Sequence, residues 1–300
     1  MRRTAERRLA AARPAGRRRP GRRARHLIAA RNILKAWLLL IGITGALAFI
    51  GWAIGGIRLL EIFIFCALLL VGGAYWTFDR VVLGMVHARE LPVAEAPLLH
   101  STVERLAARA GVLKPKLYLI PDGMPLALAT GRGPTFSSLA VSSGCIAACP
   151  PAELEGVLAH ELAHVKHRDI VVQTAIVVLA ASMIEFSRIG GFLQRALLFV
   201  LGPIAAACTH LLLSPKREYE ADARAAQLCE SPHGLADALL RMDQASQLVA
   251  FEASPATEPL WTFSPFMEEG IARMFLTHPK IEDRVKRLRA LAPQEEAPAA

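Results

Sequence analysis

The chain has 300 residues, of which 53% are hydrophobic and 20% are charged, and its mean hydropathy is +0.35. Soluble domains are on average about 45–50% apolar and about 25% charged, so this composition excludes a disordered chain and disfavours a simple soluble enzyme. The apolar excess predicts segments that lie in a lipid bilayer.

The net charge of +9 is concentrated at the N-terminus. Residues 1–35 contain thirteen Arg or Lys and one acid, so they carry +12 while the other 265 residues carry −3. We interpret them as a disordered basic tail on the cytoplasmic side of a membrane, because positive residues flank membrane helices on that side. A nucleic-acid-binding arm is the alternative, but residues 1–35 lack aromatic side chains that could stack on bases. We therefore expect a lipid bilayer and no nucleic acid as partner.

Two uncharged stretches follow the tail and predict a transmembrane helical hairpin over residues 36–78. Ala36–Gly56 has 21 residues without a charge, about the length needed to cross the hydrocarbon core, and Ile62–Phe78 is a second such stretch. A cleaved signal peptide fits less well, because the first stretch is long, begins late and has a second one behind it. Two crossings return the chain to the cytoplasm at Asp79.

Residues 170–213 contain two further apolar blocks, Ile170–Ile184 and Ala196–Leu213, separated by charged residues and by Gly190-Gly191. Both blocks are near the short end of the range for a membrane span. They predict a second apolar hairpin that spans the membrane, re-enters it, or packs as core helices of a soluble domain, and their length leaves these alternatives open.

Short periodic patterns predict the remaining elements. Residues 79–110 favour a helix, Pro150-Pro151 a helix start, residues 252–270 a loop, and Ile281–Leu291 a basic amphipathic helix. Short strands are predicted at Lys116–Pro121 and Ser137–Ser142, with turns at Pro121-Asp122-Gly123 and Gly131-Arg132-Gly133-Pro134. The fold class is therefore mostly α with a small β-sheet.

The five cysteines do not predict a disulfide framework. Their number is odd, and Cys145 and Cys149 form a lone C-x3-C that is more typical of two small buried residues than of a metal site.

His160-Glu161-Leu162-Ala163-His164 is an H-E-x-x-H motif on the helix that begins near Pro150. Residues four apart share one face of a helix, so both imidazoles can bind one zinc ion while Glu161 reaches a water molecule at the metal. A surface helix with two solvated histidines is the alternative, and the apolar neighbours Leu158 and Leu162 argue against it.

The residues around the H-E-x-x-H motif do not match two known classes of protease that contain it. A metzincin needs Gly at position 167 and His at position 170, where this chain has His167 and Ile170. A site-2-type intramembrane protease supplies an Asp from a later segment, whereas Asp122 precedes the motif and fits a turn residue. We interpret His167 as a polar residue capping the end of the helix.

A catalytic zinc site needs a third protein ligand and one open position. Glu218 and Asp222 are four residues apart and share a helical face, so Glu218 can bind zinc while Asp222 accepts a hydrogen bond from the second ring nitrogen of a zinc histidine. We expect Glu220 to point into solvent.

Together these motifs resemble the HtpX-type membrane zinc metalloproteases, which are related to the CAAX prenyl-protein endopeptidases. The H-E-x-x-H motif is followed by an apolar stretch and by Ser214-Pro215-Lys216-Arg217-Glu218-Tyr219-Glu220-Ala221-Asp222. Upstream, Tyr118–Pro125 and Ala129-Thr130-Gly131 resemble the segment before the family's active site, and Thr277-His278-Pro279 with Arg284 resembles its T-H-P…R segment. The resemblance covers about residues 30–292.

The resemblance implies one zinc ion bound by His160, His164 and Glu218, with Glu161 as the general base. Where the family usually has N-A-F-A-T-G, this chain has Leu126 in place of the Asn. His278 either donates a hydrogen bond to the oxyanion of the tetrahedral intermediate or caps the turn before the last helix.

We therefore expect a multi-pass protein of the cell membrane with a zincin-like, gluzincin-type peptidase domain formed by residues 79–169 and 214–300 on the cytoplasmic side. Its substrates are expected to be proteins or peptides, chiefly membrane proteins, and the resemblance implies quality control of damaged or misfolded ones. The alternatives are a selective processing peptidase and a membrane scaffold with a structural zinc. We expect an extended substrate along an edge strand at Ala127–Gly131 or Ser137–Ser142.

Overall fold

The computed structural model describes residues 22–188, 194–229, 233–246, 255–264 and 275–291. The first 21 residues of the predicted basic tail, the predicted turn at Gly190-Gly191 and parts of the predicted loop 252–270 lie outside these ranges.

The chain begins with a long helical segment, α1 (Arg22–Met85), that is broken at two glycines. Gly56 has φ of 63° and ψ of −150°, a conformation that glycine adopts far more readily than other residues, and the chain reverses there. A Cβ added to Gly51 would lie 2.7 Å from the carbonyl oxygen of Leu59 and 2.7 Å from Phe63, so the two arms pack closely beside the break. The segment is thus bent back at the position where the sequence predicts a hairpin turn.

Among the described residues, Ala30–Leu69 within α1 is the helix that is long and apolar enough to cross a membrane. Only 6% of its most apolar window is buried. Helices Pro151–His167 and Asp169–Ile184 are long and apolar enough only when they are taken together as one segment, and they meet at a bend of 91°.

The small mixed sheet has four strands in the order β1-β2-β4-β3: β1 (Arg89–Glu90), β2 (Lys116–Ile120), β3 (Ala127–Gly133) and β4 (Phe136–Ser142). β1 is antiparallel to β2, β2 is parallel to β4, and β3 and β4 form an antiparallel hairpin with an irregularity between Gly131 and Gly133. The strands predicted at Lys116–Pro121 and Ser137–Ser142 are confirmed as β2 and β4.

Eight further helices and one 3-10 helix make up the rest of the described secondary structure. They are α2 (Pro97–Ala110), α3 (Ser143–Ala148), α4 (Pro151–His167), α5 (Asp169–Arg188), α6 (Gln194–Leu212), α7 (Lys216–Leu228), α8 (His233–Ser246) and α9 (Ile281–Arg289), with a 3-10 helix at Pro255–Leu260. The predicted last helix is confirmed as α9, and the two predicted apolar blocks correspond to α5 and α6.

Helix α4 runs through the centre of the protein, and its residues from Gly156 to Val165 are all buried. Two glycines allow its backbone to touch that of α8, because a Cβ on Gly156 would lie 2.5 Å from the amide nitrogen of Leu235 and one on Gly234 would lie 2.3 Å from the carbonyl oxygen of Ala152. Glu153 in its first turn accepts two hydrogen bonds from Arg241 of α8. The helix that carries the H-E-x-x-H motif is thus held against a neighbour at its N-terminal end.

Four predictions about secondary structure are wrong. Residues 22–35 of the predicted disordered tail are helical, because Arg, Ala and Leu are good helix formers and extend the apolar helix behind them. Residues 86–96 interrupt the predicted helix 79–110, with β1 inside the break. The turn predicted at Gly131–Pro134 begins only at Pro134, because Gly131-Arg132-Gly133 belongs to β3, and part of the predicted loop 252–270 is the 3-10 helix.

Smaller predictions are confirmed. Cys145 and Cys149 are buried and free, with 3.9 Å between their sulfur atoms. Asp122 is a turn residue whose Oδ1 accepts a hydrogen bond from the amide of Met124. His167 is the last residue of α4, although the cap itself is Arg168, which has a left-handed φ of 61°.

Candidate active site

The two histidines of the motif face one another on the buried side of α4. His160 is 0% and His164 3% exposed, and their Nε2 atoms are 3.1 Å apart. The rings are nearly perpendicular, with centroids 4.7 Å apart. The spacing of four residues thus brings the two ring nitrogens to one point, as the sequence predicts.

Glu218 on α7 completes the cluster. Its Oε2 lies 3.4 Å from His160 Nε2 and its Oε1 3.6 Å from His164 Nε2. Helix α7 begins at Lys216, so Glu218 lies in its first turn, and the side chain is fully buried. Neither carboxylate oxygen accepts a hydrogen bond among the described residues, although Arg217 Nε lies 3.2 Å from Oε1.

These three side chains fit a tetrahedral metal ion. One ligand atom from each lies within 4.8 Å of the others. Ligands that bind zinc at about 2.0–2.1 Å are about 3.3 Å apart in a tetrahedron, close to the separations of 3.1–3.6 Å found here. The carboxylate of Glu218 and the facing ring nitrogens of the two histidines are the kind of donor set that zinc prefers.

Each histidine is held by a carboxylate at its other ring nitrogen. Asp222 Oδ1 lies 3.0 Å from His160 Nδ1, and Asp169 Oδ2 lies 3.0 Å from His164 Nδ1. Such contacts leave Nε2 free to bind a metal and raise the basicity of the ring. The structure places Asp222 where the sequence predicts it. Asp169 was missed, although it begins the next helix only five residues after His164.

Asp169 also joins the site to the first helix. Its Oδ1 accepts a hydrogen bond of 2.5 Å from Asn32 Nδ2, and the same amide donates to the carbonyl oxygen of His167. Asn32 is buried near the start of α1. A polar residue of the N-terminal helix therefore fixes the carboxylate that orients His164.

Arg284 on α9 supports the other histidine. It is fully buried, and its Nε and Nη2 donate hydrogen bonds of 2.9 and 2.7 Å to the two carboxylate oxygens of Asp222. Its Nη1 donates to the backbone oxygen of Thr262. This bidentate pair fixes Asp222 and, through it, the ring of His160. The resemblance of Thr277-His278-Pro279 and Arg284 to a family segment indicates that Arg284 matters but does not assign it a role.

Glu161 lies beside the cluster and is 2% exposed. Its Oε1 accepts a hydrogen bond of 2.7 Å from the hydroxyl of Thr262, which also donates to the carbonyl oxygen of Ala127 on β3 at 3.3 Å. Thr262 lies in the part of the chain predicted as a loop. Its contact with Glu161 could not be predicted from the sequence, because a single threonine near prolines matches no motif.

His278 also lies in the site. Its Nε2 is 3.7 Å from Glu218 Oε2 and has no hydrogen-bond partner among the described residues. Its Nδ1 lies 2.8 Å from Oε1 of Glu258, a fully buried carboxylate that also accepts hydrogen bonds from the amide and hydroxyl of Thr277. The role of Glu258 could not be predicted either, because it is a single acidic residue in a segment whose prolines predict a loop.

Glu220 does not join the cluster. It is half-buried and lies 3.8 Å from Lys216 in a pair on the exposed side of α7. On α7, Glu218 therefore faces the cluster and Glu220 faces outward, as the helical spacing predicts.

The electrostatics of the site keep the carboxylates charged. Burial raises the pKa of Glu218, but His164, His278 and Arg217 outweigh this and hold the pKa well below its usual value. Burial lowers the pKa of His164, but Glu218 and Asp169 outweigh it and raise that pKa to about 10 in the metal-free protein. The buried carboxylates thus favour a cation at the cluster, and in the metal-free protein the ring of His164 holds a proton there.

The strand edge nearest the site is occupied by the chain itself. β4 is paired on both sides, so the predicted substrate position along Ser137–Ser142 is wrong. β3 has an outer edge, but Leu128 pairs there with Trp261, and the amide of Gly131 donates to the hydroxyl of Thr174. The other predicted position, Ala127–Gly131, therefore already has partners at both ends.

Comparisons with known proteins agree with this geometry. Residues 94–292 match the sequence profile of peptidase family M48. The chain is 38% identical over 279 residues to a protease HtpX homolog of Pelotomaculum thermopropionicum, covering 87% of this chain and 99% of the relative. It is 36% identical over 276 residues to a protease HtpX homolog of Pyrococcus furiosus, covering 86% and 96%.

Among solved structures, the crystal structure of S. mikatae Ste24p aligns with 20% identity and a TM-score of 0.46, covering 87% of this chain and 66% of that one. The family assignment depends on the sequence matches, which extend over most of the chain at well above 30% identity. The chain therefore belongs to peptidase family M48 and is a metalloprotease.

Proposed function

We propose that this metalloprotease is an integral-membrane zinc endopeptidase with one zinc ion per chain, held by His160, His164 and Glu218. The observation that carries the proposal is the buried cluster of three ligand atoms within 4.8 Å of one another, next to a carboxylate that is not one of them. A zinc ion bound there would polarise the scissile carbonyl and lower the pKa of a water molecule to about 7.

In this mechanism Glu161 is the general base. It takes a proton from the attacking water and delivers it to the nitrogen of the leaving amine. Its Oε1 is held by Thr262, so the second carboxylate oxygen is the one that moves the proton. Because Glu161 is only 2% exposed, its carboxylate is shielded from bulk water.

His278 is proposed to donate a hydrogen bond from Nε2 to the oxyanion of the tetrahedral intermediate. Its Nδ1 is engaged by Glu258, which fixes the ring and leaves Nε2 directed toward Glu218. The alternative role, a cap for the turn before α9, receives less support, because both ring nitrogens face buried carboxylates and not the start of that helix.

Asp222 and Asp169 are proposed to orient the two metal histidines, and Arg284 to hold Asp222. A structural zinc in a non-catalytic scaffold would be expected to have a fourth protein ligand. Among the described residues the metal-ligating group contains three, which favours the enzyme over the scaffold.

The proposed topology places α1 in the membrane as a hairpin, with the basic N-terminus and the peptidase site on the cytoplasmic side. The exposed apolar surface of α1 supports this, with Trp37, Ile41 and Phe65 each at least 60% exposed. The proposed topology also includes α5 and α6 as a second hairpin. By its resemblance to the HtpX family, the enzyme would degrade damaged or misfolded membrane proteins, whereas a selective processing peptidase would accept few sequences.

The test is to purify the full chain in detergent and measure its zinc content together with cleavage of casein. The proposal expects about one zinc per chain and cleavage that is lost with a chelator and restored by zinc. Protein that folds and holds zinc but cleaves no protein substrate would support the scaffold instead.

A further inference from the structure

A small open cavity lies beside the metal site, where the start of α1 meets the end of α6 and the start of α7. It is open to solvent, and Arg31, Lys35, Lys216 and Arg217 line it. Asp169 and Glu220 are the acidic residues in its lining, so the cavity carries a net charge of +2.

One cation of this cavity is buried and incompletely partnered. Arg217 is 8% exposed, and its Nη2 donates to the backbone oxygen of Pro259. Its Nε lies 3.2 Å from Oε1 of Glu218, but its Nη1 has no hydrogen-bond partner among the described residues. A buried guanidinium with an unused donor is unfavourable unless an anion or water completes it, so this group indicates an acceptor from outside the chain.

The two carboxylates of the cavity do not supply that acceptor. Both oxygens of Asp169 are already used, one by Asn32 and the other by His164. Glu220 lies 3.8 Å from Lys216 in an exposed pair, and such pairs hold their partners weakly. Glu218 offsets the charge of Arg217 at 3.2 Å, whereas Arg31 and Lys35 form no ion pair with a carboxylate among the described residues.

The surface around the cavity changes from charged to apolar within one helical turn. On α1, Leu34 and Leu38 are exposed just beyond Arg31 and Lys35. On α6, Leu211 is 80% exposed, and Lys35 donates a hydrogen bond to the backbone oxygen of its neighbour Leu212. A ligand that fits this boundary has an anionic head for the cavity and a hydrocarbon part for the exposed leucines.

We propose that the cavity binds the anionic phosphodiester headgroup of a membrane phospholipid. The guanidinium of Arg217 and the ammonium group of Lys35 are the inner contacts, since Arg pairs well with phosphate oxygens. Arg31 and Lys216 close the outer side. A free phosphate ion offers the same oxygens, but it makes no use of the exposed apolar residues on either helix.

The inference rests on the proposed placement of α1 and α6 in the membrane. It gives the lipid a position next to the active site, because Arg217 precedes the proposed zinc ligand Glu218 and Asp169 holds His164.

The experiment uses the full-length chain, delipidated in a neutral detergent, with binding followed by native mass spectrometry. Dihexanoyl phosphatidylglycerol, dihexanoyl phosphatidylcholine and inorganic phosphate are titrated separately. The double variant Arg31→Gln/Lys216→Gln removes two exposed charges of the cavity, so its folding should be unaffected. The matched control is Arg80→Gln/Lys116→Gln, which removes two exposed charges elsewhere.

We expect phosphatidylglycerol to bind at least about tenfold more tightly than phosphatidylcholine, and the cavity variant to lose about tenfold in that affinity while the control keeps it. Equal binding of the two lipids, or unchanged binding by the cavity variant, would overturn the proposal. If inorganic phosphate bound as tightly as phosphatidylglycerol, the site would be one for free phosphate and the lipid assignment would be wrong. Zinc content and casein cleavage of the same samples test the proposed function separately.

Discussion

The hydroxyl of Thr262 donates a hydrogen bond of 2.7 Å to Oε1 of Glu161, which ties a residue near the C-terminal end of the chain to the central helix α4. The backbone oxygen of Thr262 in turn accepts from Arg284, which holds Asp222. The proposed general base and the partner of His160 are therefore positioned by the same short segment.

Glu161→Gln should retain the fold and the metal but lose nearly all proteolysis. Glutamine keeps the size of the side chain and can still contact Thr262, but it cannot take a proton. General acid–base catalysis contributes roughly 10²–10⁴-fold in rate, so kcat for casein should fall by about that factor. The control is Glu155→Gln on the same helix, where the carboxylate forms a surface pair with Arg105. Near-normal turnover by Glu161→Gln would refute its assignment as the base.

Glu218→Ala should abolish metal binding, whereas Glu220→Ala should leave it intact. Glu218 is buried among the two histidines, while Glu220 pairs with Lys216 on the outer side of the same helix. Metal content after dialysis measures the difference. The reverse result would mean that the register of α7 at the site is wrong.

Asp222→Asn should weaken metal affinity or activity by about 10–100-fold, as the loss of an orienting partner of a metal histidine does. It should also lower the melting temperature, because Arg284 would be left buried without its charged partner. Competition with a chelator gives the affinity and a thermal melt gives the stability. Full affinity in a stable variant would show that Asp222 does not orient His160.

His278→Ala should keep zinc and thermal stability while kcat falls by at least about tenfold, since one oxyanion donor is worth about 10²–10³ in kcat. Glu258→Gln should lower kcat in the same direction but less, because glutamine can still accept from His278 Nδ1. Measuring kcat and KM for a peptide substrate distinguishes a slower chemical step from weaker substrate binding. A lowered melting temperature with unchanged kcat would leave His278 with a structural role.

Zinc affinity should rise with pH. The pKa of His164 is about 10 in the metal-free protein, so at pH 6–8 the ring holds a proton that zinc must displace. One displaced proton increases the apparent affinity by about tenfold per pH unit in this range. The same proton contributes stability to the metal-free fold below pH about 6.5, and this contribution is lost as pH rises toward 10. Zinc titrations at several pH values test the slope, and an affinity independent of pH would contradict the prediction.

The chain between His160 and Glu218 must cross the membrane an even number of times, because both side chains meet at one point. Reporter fusions after residue 167 and after residue 216 should therefore both report the cytoplasm. Fusions that report opposite sides would contradict the proposed topology of residues 170–213.

Local patterns were sufficient to predict the buried cluster of His160, His164 and Glu218. The spacing of His160 and His164 fixes their relative position on any helix, and the same rule places Glu218 and Asp222 on one face of α7. The family resemblance adds that the two helices meet, which spacing alone could not establish.

The residues around the ligands were harder to predict, because their roles depend on contacts distant in sequence. Thr262 and Glu258 reach the site from a segment whose prolines predict a loop, yet Trp261 and Phe263 bury that segment in the core. Asn32 contacts Asp169 across 137 positions. No local pattern encodes such pairs.

The 91° bend between α4 and α5 has a consequence for the direction from which substrates arrive. If α5 stands upright in the bilayer, α4 lies flat along the membrane surface, and the scissile bond must be presented at that surface. The turn is made at Arg168 alone, so the catalytic centre cannot be far from the lipid headgroups. An enzyme arranged in this way would cut chain segments that emerge beside the membrane before it could reach a protein in free solution.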